Sequence, residues 1–277
     1  MSRTPKGLRL AAALRAARES RGLTLRELGE RTGRNSGVVS RYETADRTPK
    51  PEDVAQLLTA LEIRGEQYDE ILALAYDTDA PGWVAWTLPD QRQQLVAMVD
   101  AEQSAARIDH VSPSLFPGIL QAESYMTAIM SGSDIPPDEI ARRVEIRLGR
   151  RHALTKPHPV ELMSFIGEAA LYWMVGGRAV LADQLRHVLG MMRRPNVQVR
   201  VVPFRSGWQP SLEGQFMVID RAIVHMETRK SGIFLHNRSD VASYLDAVDI
   251  VRRVACGEAE SKALLGGRLR ELEGTAP

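Results

Sequence analysis

With 277 residues, 44% hydrophobic and 26% charged, the chain has room for two globular domains, and no apolar run nears the ~20 residues a membrane span needs. Its 36 Lys and Arg against 35 Asp and Glu give a net charge of +1, so overall charge singles out no class of partner. The single cysteine, Cys256, excludes an internal disulfide framework and a cysteine zinc site, and fits a reducing cytoplasm.

The first predicted helix runs from Gly7 to Ser20, with Leu8, Ala11, Leu14 and Ala17 inward. Arg15 and Arg18 interrupt its alanine-rich sequence, so a signal peptide is not expected. Thr24 then reads as an N-cap, and Glu27 three residues later completes a capping box for a second helix carrying Leu25 and Leu28 inward. Gly33 stands where the chain needs a left-handed turn, and Asn35 caps a third helix that turns Val39 and Tyr42 inward. Ser36, Gly37, Ser40 and Arg41 are left outward. A short helix with small residues at its start and an arginine one turn later suits a DNA major groove, where arginine pairs with guanine.

A polar loop from Thr44 to Lys50 follows, carrying Arg47 and Lys50. Pro51 opens a fourth helix over Glu52 to Leu61, and a fifth pattern covers Gly65 to Tyr76. Residues 1–50 carry twelve Lys or Arg against five Asp or Glu, whereas residues 51–80 carry Arg64 against eight acids. This split, hidden in the total, places a basic face on the first three helices and turns the fourth and fifth away from a polyanion.

The motif from Leu23 to Gly33, followed by Val39-Ser-Arg-Tyr-Glu43 and Arg47-Thr-Pro-Lys-Pro51, resembles the xenobiotic-response-element, or lambda-repressor-like, helix-turn-helix family. The resemblance implies a sequence-specific DNA-binding regulator. The family's base-edge positions match Ser36, Gly37 and Arg41; the outward Ser40 is read with them, and Thr24, Arg26, Asn35, Arg47 and Lys50 are read as phosphate contacts. The resemblance also implies an ion pair between Arg18 and Glu43, and a homodimer on inverted half-sites. Gly37, without a side chain, departs from the family's pattern of direct contact.

The polar stretch Asp77-Thr-Asp-Ala-Pro-Gly82 marks a boundary, giving a domain at 1–77, a linker at 78–88 and a second domain at 89–277. The second domain opens with a helical pattern from about Pro89 to Ile108, a Pro-rich turn, a short helix over Gln121 to Met130 and a long one after Pro136. Strands are expected only afterwards: Val160 to Ile166, the alternating Val197 to Val201, a hairpin of Gln215 to Asp220 with Ala222 to Thr228, and an edge strand at Ile233 to His236. Helices over Arg178 to Arg193, Asp240 to Ala255 and Glu258 to Leu272 complete it, with Gly176-Gly177 as a turn. The fold class expected is an all-α five-helix helix-turn-helix domain followed by a mixed α/β domain with a small sheet.

Phe116-Pro-Gly-Ile-Leu-Gln-Ala-Glu-Ser-Tyr125 is similar to a Pro-Gly-Leu-Leu-Gln signature of a domain of unknown function in WhiJ-like actinobacterial regulators. Here Ala122 replaces a usual threonine, and Trp173 and Met174 are bulkier than usual. That resemblance implies a small protein partner encoded nearby, as in antitoxin–toxin pairs; the residues themselves also admit a small-molecule effector. Gln121, Tyr125, Arg147, Glu168, Trp173 and Trp208 are the groups suited to line a pocket, while the alternative reading places the aromatics in the core and the arginines from Arg142 to Arg151 on a solvated helix face.

No histidine pair stands at metal-ligand spacing, and neither a Gly-x-Ser-x-Gly elbow nor a phosphate loop occurs. Cys256 reads as a packed structural residue rather than a nucleophile served by His225 or His236. An enzyme is therefore not expected, nor a cofactor or metal.

Overall fold

The computed structural model describes residues 4–274 apart from 79, 81, 86, 87, 133–135 and 228–231. The chain forms two compact units. One holds the residues up to Met98 together with the short segment ending at His236, and the other holds Val99–Glu227 and the chain from Asn237 onward.

Five helices build most of the first unit: α1 Pro5–Ser20, α2 Leu25–Thr32, α3 Ser36–Glu43, α4 Pro51–Ala60 and α5 Glu66–Ala73. The caps follow from sequence. Thr4 accepts from the Gly7 N–H, Thr24 and Glu27 form the reciprocal box, Gly33 takes the left-handed conformation at φ 64°, and Asn35 accepts from the Gly37 N–H at 2.8 Å. Each such cap stabilises its helix by about 1 kcal/mol. Leu10, Leu14, Leu28, Val39, Tyr42, Val54, Leu57, Leu58 and Ile71 form the core. Ala11, Leu14 and Ala17 are buried as expected, whereas Leu8 is 40% exposed and Leu10 and Ala13 join the buried stripe of α1.

The stretch read as a linker carries a strand, β1 Gly82–Val84. It pairs antiparallel with the strand Gly232–Leu235 (β7), and Trp83 stacks on Phe234 with ring centroids 5.9 Å apart. The strand expected at Ile233 is thus present, with its partner in the first unit. Helix α6, Leu88–Ser104, ends four residues short of the Ile108 expected.

In the second unit Arg107–Ser112 is a strand, β2, and not the tail of α6. It lies inside the sheet, buried on both faces, with β3 Glu161–Gly167 parallel on one side and β5 Phe216–Ile219 antiparallel on the other. Three of its buried residues, Asp109, His110 and Ser112, are polar, so it shows neither the apolar run nor the alternation by which a strand is recognised. With β4 Val197–Val202 and β6 Ile223–Glu227 the order is β6-β5-β2-β3-β4. The β5–β6 hairpin turns through Asp220 and Arg221, both at positive φ. Asp220 fixes that turn by accepting from the N–H groups of Ala106 and Arg107, each at 2.9 Å.

Helices α7 Glu123–Ser131, α8 Pro137–Gly149 and α9 His152–Thr155 connect β2 to β3, and α10 Arg178–Met191 connects β3 to β4. Such helical crossovers are what parallel neighbours require. Gly176 and Gly177, at φ 65° and 87°, make the turn into α10. Helix α11, Arg238–Val254, covers the sheet face that carries Asp109, Phe165 and Phe216, and α12, Glu258–Gly274, packs on α10 and β4. No described helix is long and apolar enough to cross a membrane.

Candidate nucleic-acid interface

The arrangement of α2 and α3 begins with two glycines. A Cβ at Gly29 would stand 2.6 Å from the Arg34 carbonyl oxygen, so glycine alone permits this close approach. Gly33 supplies the left-handed turn between the helices. The far end of α3 is then tied to α1. Arg18 donates from Nε and Nη2 to the Glu43 carboxylate at 2.7 and 2.8 Å, and from Nη1 to the Leu23 carbonyl at 2.7 Å. Arg15 donates to the Glu43 carbonyl. The Arg18–Glu43 pair implied by the family resemblance is present. Hydrogen bonding to Glu43 raises the Arg18 pKa in spite of burial.

A second anchor joins α3 to α4. Asp53 accepts from Arg34 at 2.6 Å, from the Tyr42 hydroxyl at 3.1 Å and from the Lys50 N–H at 3.2 Å. Burial works to raise its pKa, but these three donors hold the carboxyl below its ordinary value. Arg15, Arg18, Arg21 and Arg34 all bond within the scaffold. Part of the basic excess of residues 1–50 is therefore structural rather than presented to a partner.

The residues assigned to base edges lie on the outward side of α3. Ser36 and Arg41 are exposed on α3, while Gly37 and Ser40 are half-buried beside them. Gly37 has a role that a missing side chain does not suggest in sequence. A Cβ there would meet the Asn35 side-chain oxygen at 3.1 Å and approach an Arg41 guanidinium nitrogen at 3.8 Å. Glycine thus leaves the cap undisturbed and gives Arg41 room to lie along the helix.

The residues assigned to phosphates differ in availability. Arg26 pairs with Glu30 at 2.9 Å, yet both side chains are largely exposed, so exchanging that carboxylate for a phosphate costs little. Arg47 lies 5.7 Å from the Tyr42 ring centroid and its N–H donates to the Arg41 carbonyl, which fixes the loop after α3. Lys50 caps α4 through its backbone and keeps its side chain exposed. Asn35 uses its side-chain oxygen for the cap and keeps its amide donors. The Thr24 hydroxyl donates to Glu27 at 2.7 Å, which directs its proton away from a phosphate.

The six residues proposed for a pocket in the second unit occupy three places. Gln121 and Tyr125 are buried near Phe116: Gln121 donates to the Phe116 carbonyl, and Tyr125 meets that ring edge-on. Burial pushes the Tyr125 pKa up to about 12. Arg147 stands 3.8 Å from Glu227. Glu168 accepts from the Phe204 N–H, while Trp173 and Trp208 are 58% and 74% exposed in the loops that follow β3 and β4.

The arginine series from Arg142 to Arg151 is not a uniformly solvated face. Arg150 is 2% exposed and makes two 2.7 Å bonds to Glu102, itself 1% exposed. Arg151 donates to the Gln121 carbonyl. Beside the Arg150–Glu102 pair, burial lowers the His110 pKa to about 3 and that of His225 to about 4, so both rings are neutral at ordinary pH. Cys256 is buried as expected, and burial raises its pKa. Sequence reasoning missed His110 and Glu102, since nothing in the local pattern of either marks it as buried.

A family model described as a helix-turn-helix domain matches residues 9–71, and one described as a domain of unknown function (DUF5753) matches residues 95–267. No curated protein and no solved structure matches the chain.

Proposed function

The chain belongs to the DUF5753 family, with a helix-turn-helix domain ahead of that region, and from this premise we propose that it is a sequence-specific transcriptional regulator that reads duplex DNA through α3. The carrying observation is Arg41: an exposed guanidinium without a partner among the described residues, on a helix anchored at both ends through Asn35 and Glu43. Arg41 and Ser36 reach base edges, with Ser40 beside them and Gly37 admitting a close backbone approach. Arg26, Asn35, Arg47 and Lys50 set the register on phosphates. The protein acts in the cytoplasm as a homodimer on inverted half-sites, in the manner of xenobiotic-response-element repressors and WhiJ-like regulators. The second unit supplies input and no catalysis.

Arg41→Ala is expected to cost about 1–3 kcal/mol at the specific site and to relax base preference there. Fluorescence anisotropy against a selected operator and a scrambled duplex measures it; an unchanged affinity ratio rejects the assignment. Lys50→Ala is expected to weaken both duplexes alike and to lower the salt slope by about one ion. Titrations at several salt concentrations read that directly, and an intact slope removes Lys50 from the phosphate set.

A second reading has support of its own. Tyr172, Trp173, Met174, Phe204 and Trp208 are large apolar side chains left exposed in two neighbouring loops. Contiguous exposure of that kind marks protein contact surfaces. In this reading the chain sequesters a small protein encoded nearby, antitoxin fashion, with DNA binding secondary. A stoichiometric small protein purified with the native chain supports it.

A further inference from the structure

A cleft of about 550 Å³ opens between the β5–β6 hairpin and α11 in the second unit. That is within the size of pockets that enclose small organic ligands. Its floor is apolar: Phe216 and Met226 from the hairpin, and Tyr244, Ala247 and Ile250 from α11. Phe216 and Tyr244 meet edge to face with centroids 4.9 Å apart. The charged lining residues are both acidic, Glu213 and Asp246, with no lysine, arginine or histidine among them. Both carboxylates are exposed at the rim, and neither is paired with a cation among the described residues. An apolar floor, two aromatic rings and unpaired negative charge are complementary to one kind of ligand. Rings attract a cation placed over them, and carboxylates hold it at the mouth.

The cleft's place in the chain is equally informative. β6 ends at Glu227 and α11 begins at Arg238, and the segment between them gives β7 to the first unit. The two walls of the cleft are thus the two elements from which the chain leaves the second unit and to which it returns. α11 is held to the sheet near its C-terminal end, where Arg252 donates to Asp109 at 3.2 Å and lies over the Phe165 ring. Tyr244 sits two turns earlier, toward the crossing. A ligand seated against Tyr244 therefore acts on the middle turns of α11, between the Arg252 anchor and the point where the chain enters from the first unit.

We propose that this cleft binds an apolar organic cation, an amine or quaternary ammonium carried on a hydrophobic body, and that its occupancy is the input to the DNA-binding half. The binding claim stands alone, whereas the input claim rests on the regulator reading.

The test uses the full chain and three probes of matched shape: 4-phenylbutylamine, 4-phenylbutanol and 4-phenylbutyrate. Calorimetry is expected to show the amine binding at least tenfold tighter than the alcohol, with the acid weakest. The double variant Glu213→Gln, Asp246→Asn is expected to remove the preference for amine over alcohol while leaving the alcohol's affinity and the melting temperature unchanged. Tyr244→Leu is expected to weaken the amine several-fold. Equal binding of amine and acid, or a preference that survives the double variant, overturns the site. An amine that saturates the cleft without changing operator affinity overturns its role as input. Arg41→Ala keeps the two failures apart, since it is expected to lose operator binding and keep amine binding.

Discussion

Replacing Glu102 by alanine is expected to destabilise the second unit by about 3–5 kcal/mol, a large part of the 5–15 kcal/mol that holds a typical domain folded. Glu102 and Arg150 are almost completely buried and share two 2.7 Å bonds. Gly118 closes around the guanidinium so tightly that a Cβ there would stand 2.5 Å from it. Water has little room to replace the lost carboxylate, so the cost is that of an unpaired buried cation rather than of a missing attraction. Two companions separate these. Glu102→Gln keeps the shape and an acceptor, and is expected to lose less. Glu102→Leu with Arg150→Met removes both charges and is expected to recover most of the loss. Denaturant unfolding measures all three; a loss below 1 kcal/mol in Glu102→Ala contradicts the assigned burial.

Glu43→Ala is the second large effect, about 2–3 kcal/mol in the first unit. It sits below the range for a fully buried pair because Arg18 retains the Leu23 carbonyl and is 12% exposed. The consequence reaches function. Glu43 is the last residue of α3, and its carboxylate and carbonyl receive Arg18 and Arg15 from α1. Without the carboxylate, the angle at which α3 is presented is less fixed. Operator affinity is expected to fall more than affinity for scrambled DNA, since base contacts depend on orientation and phosphate contacts much less. The comparison is made below the variant's melting temperature. Equal losses on both duplexes would place the effect in folding alone.

How much of this was legible in sequence depended on the range of the interactions involved. The caps of α2 and α3 rest on Thr24, Glu27, Gly33 and Asn35, all within three residues of what they cap, and all were readable. The Arg18–Glu43 pair spans 25 residues and was reached through family resemblance, not through any local pattern. β2 escaped because its buried polar residues mask the strand pattern: Asp109 is held by the neighbouring Arg107 and, from far along the chain, by Arg252, and His110 lies in the field of Arg150. The cleft beside α11 was illegible for the same reason, since Phe216 and Tyr244 meet only after the hairpin and helix have formed. Trp173 and Trp208 read as pocket or core residues because aromatic type alone favours burial, whereas the loops after β3 and β4 leave them outside.

The most direct measurement is dimethyl sulfate footprinting of the full chain on a selected operator, which reports guanine N7 in the major groove. Wild-type protein is expected to protect at least one guanine in each half-site, and Arg41→Ala to lose that protection while keeping the phosphate footprint. Guanine protection that persists unchanged in Arg41→Ala would contradict a reading of DNA through α3.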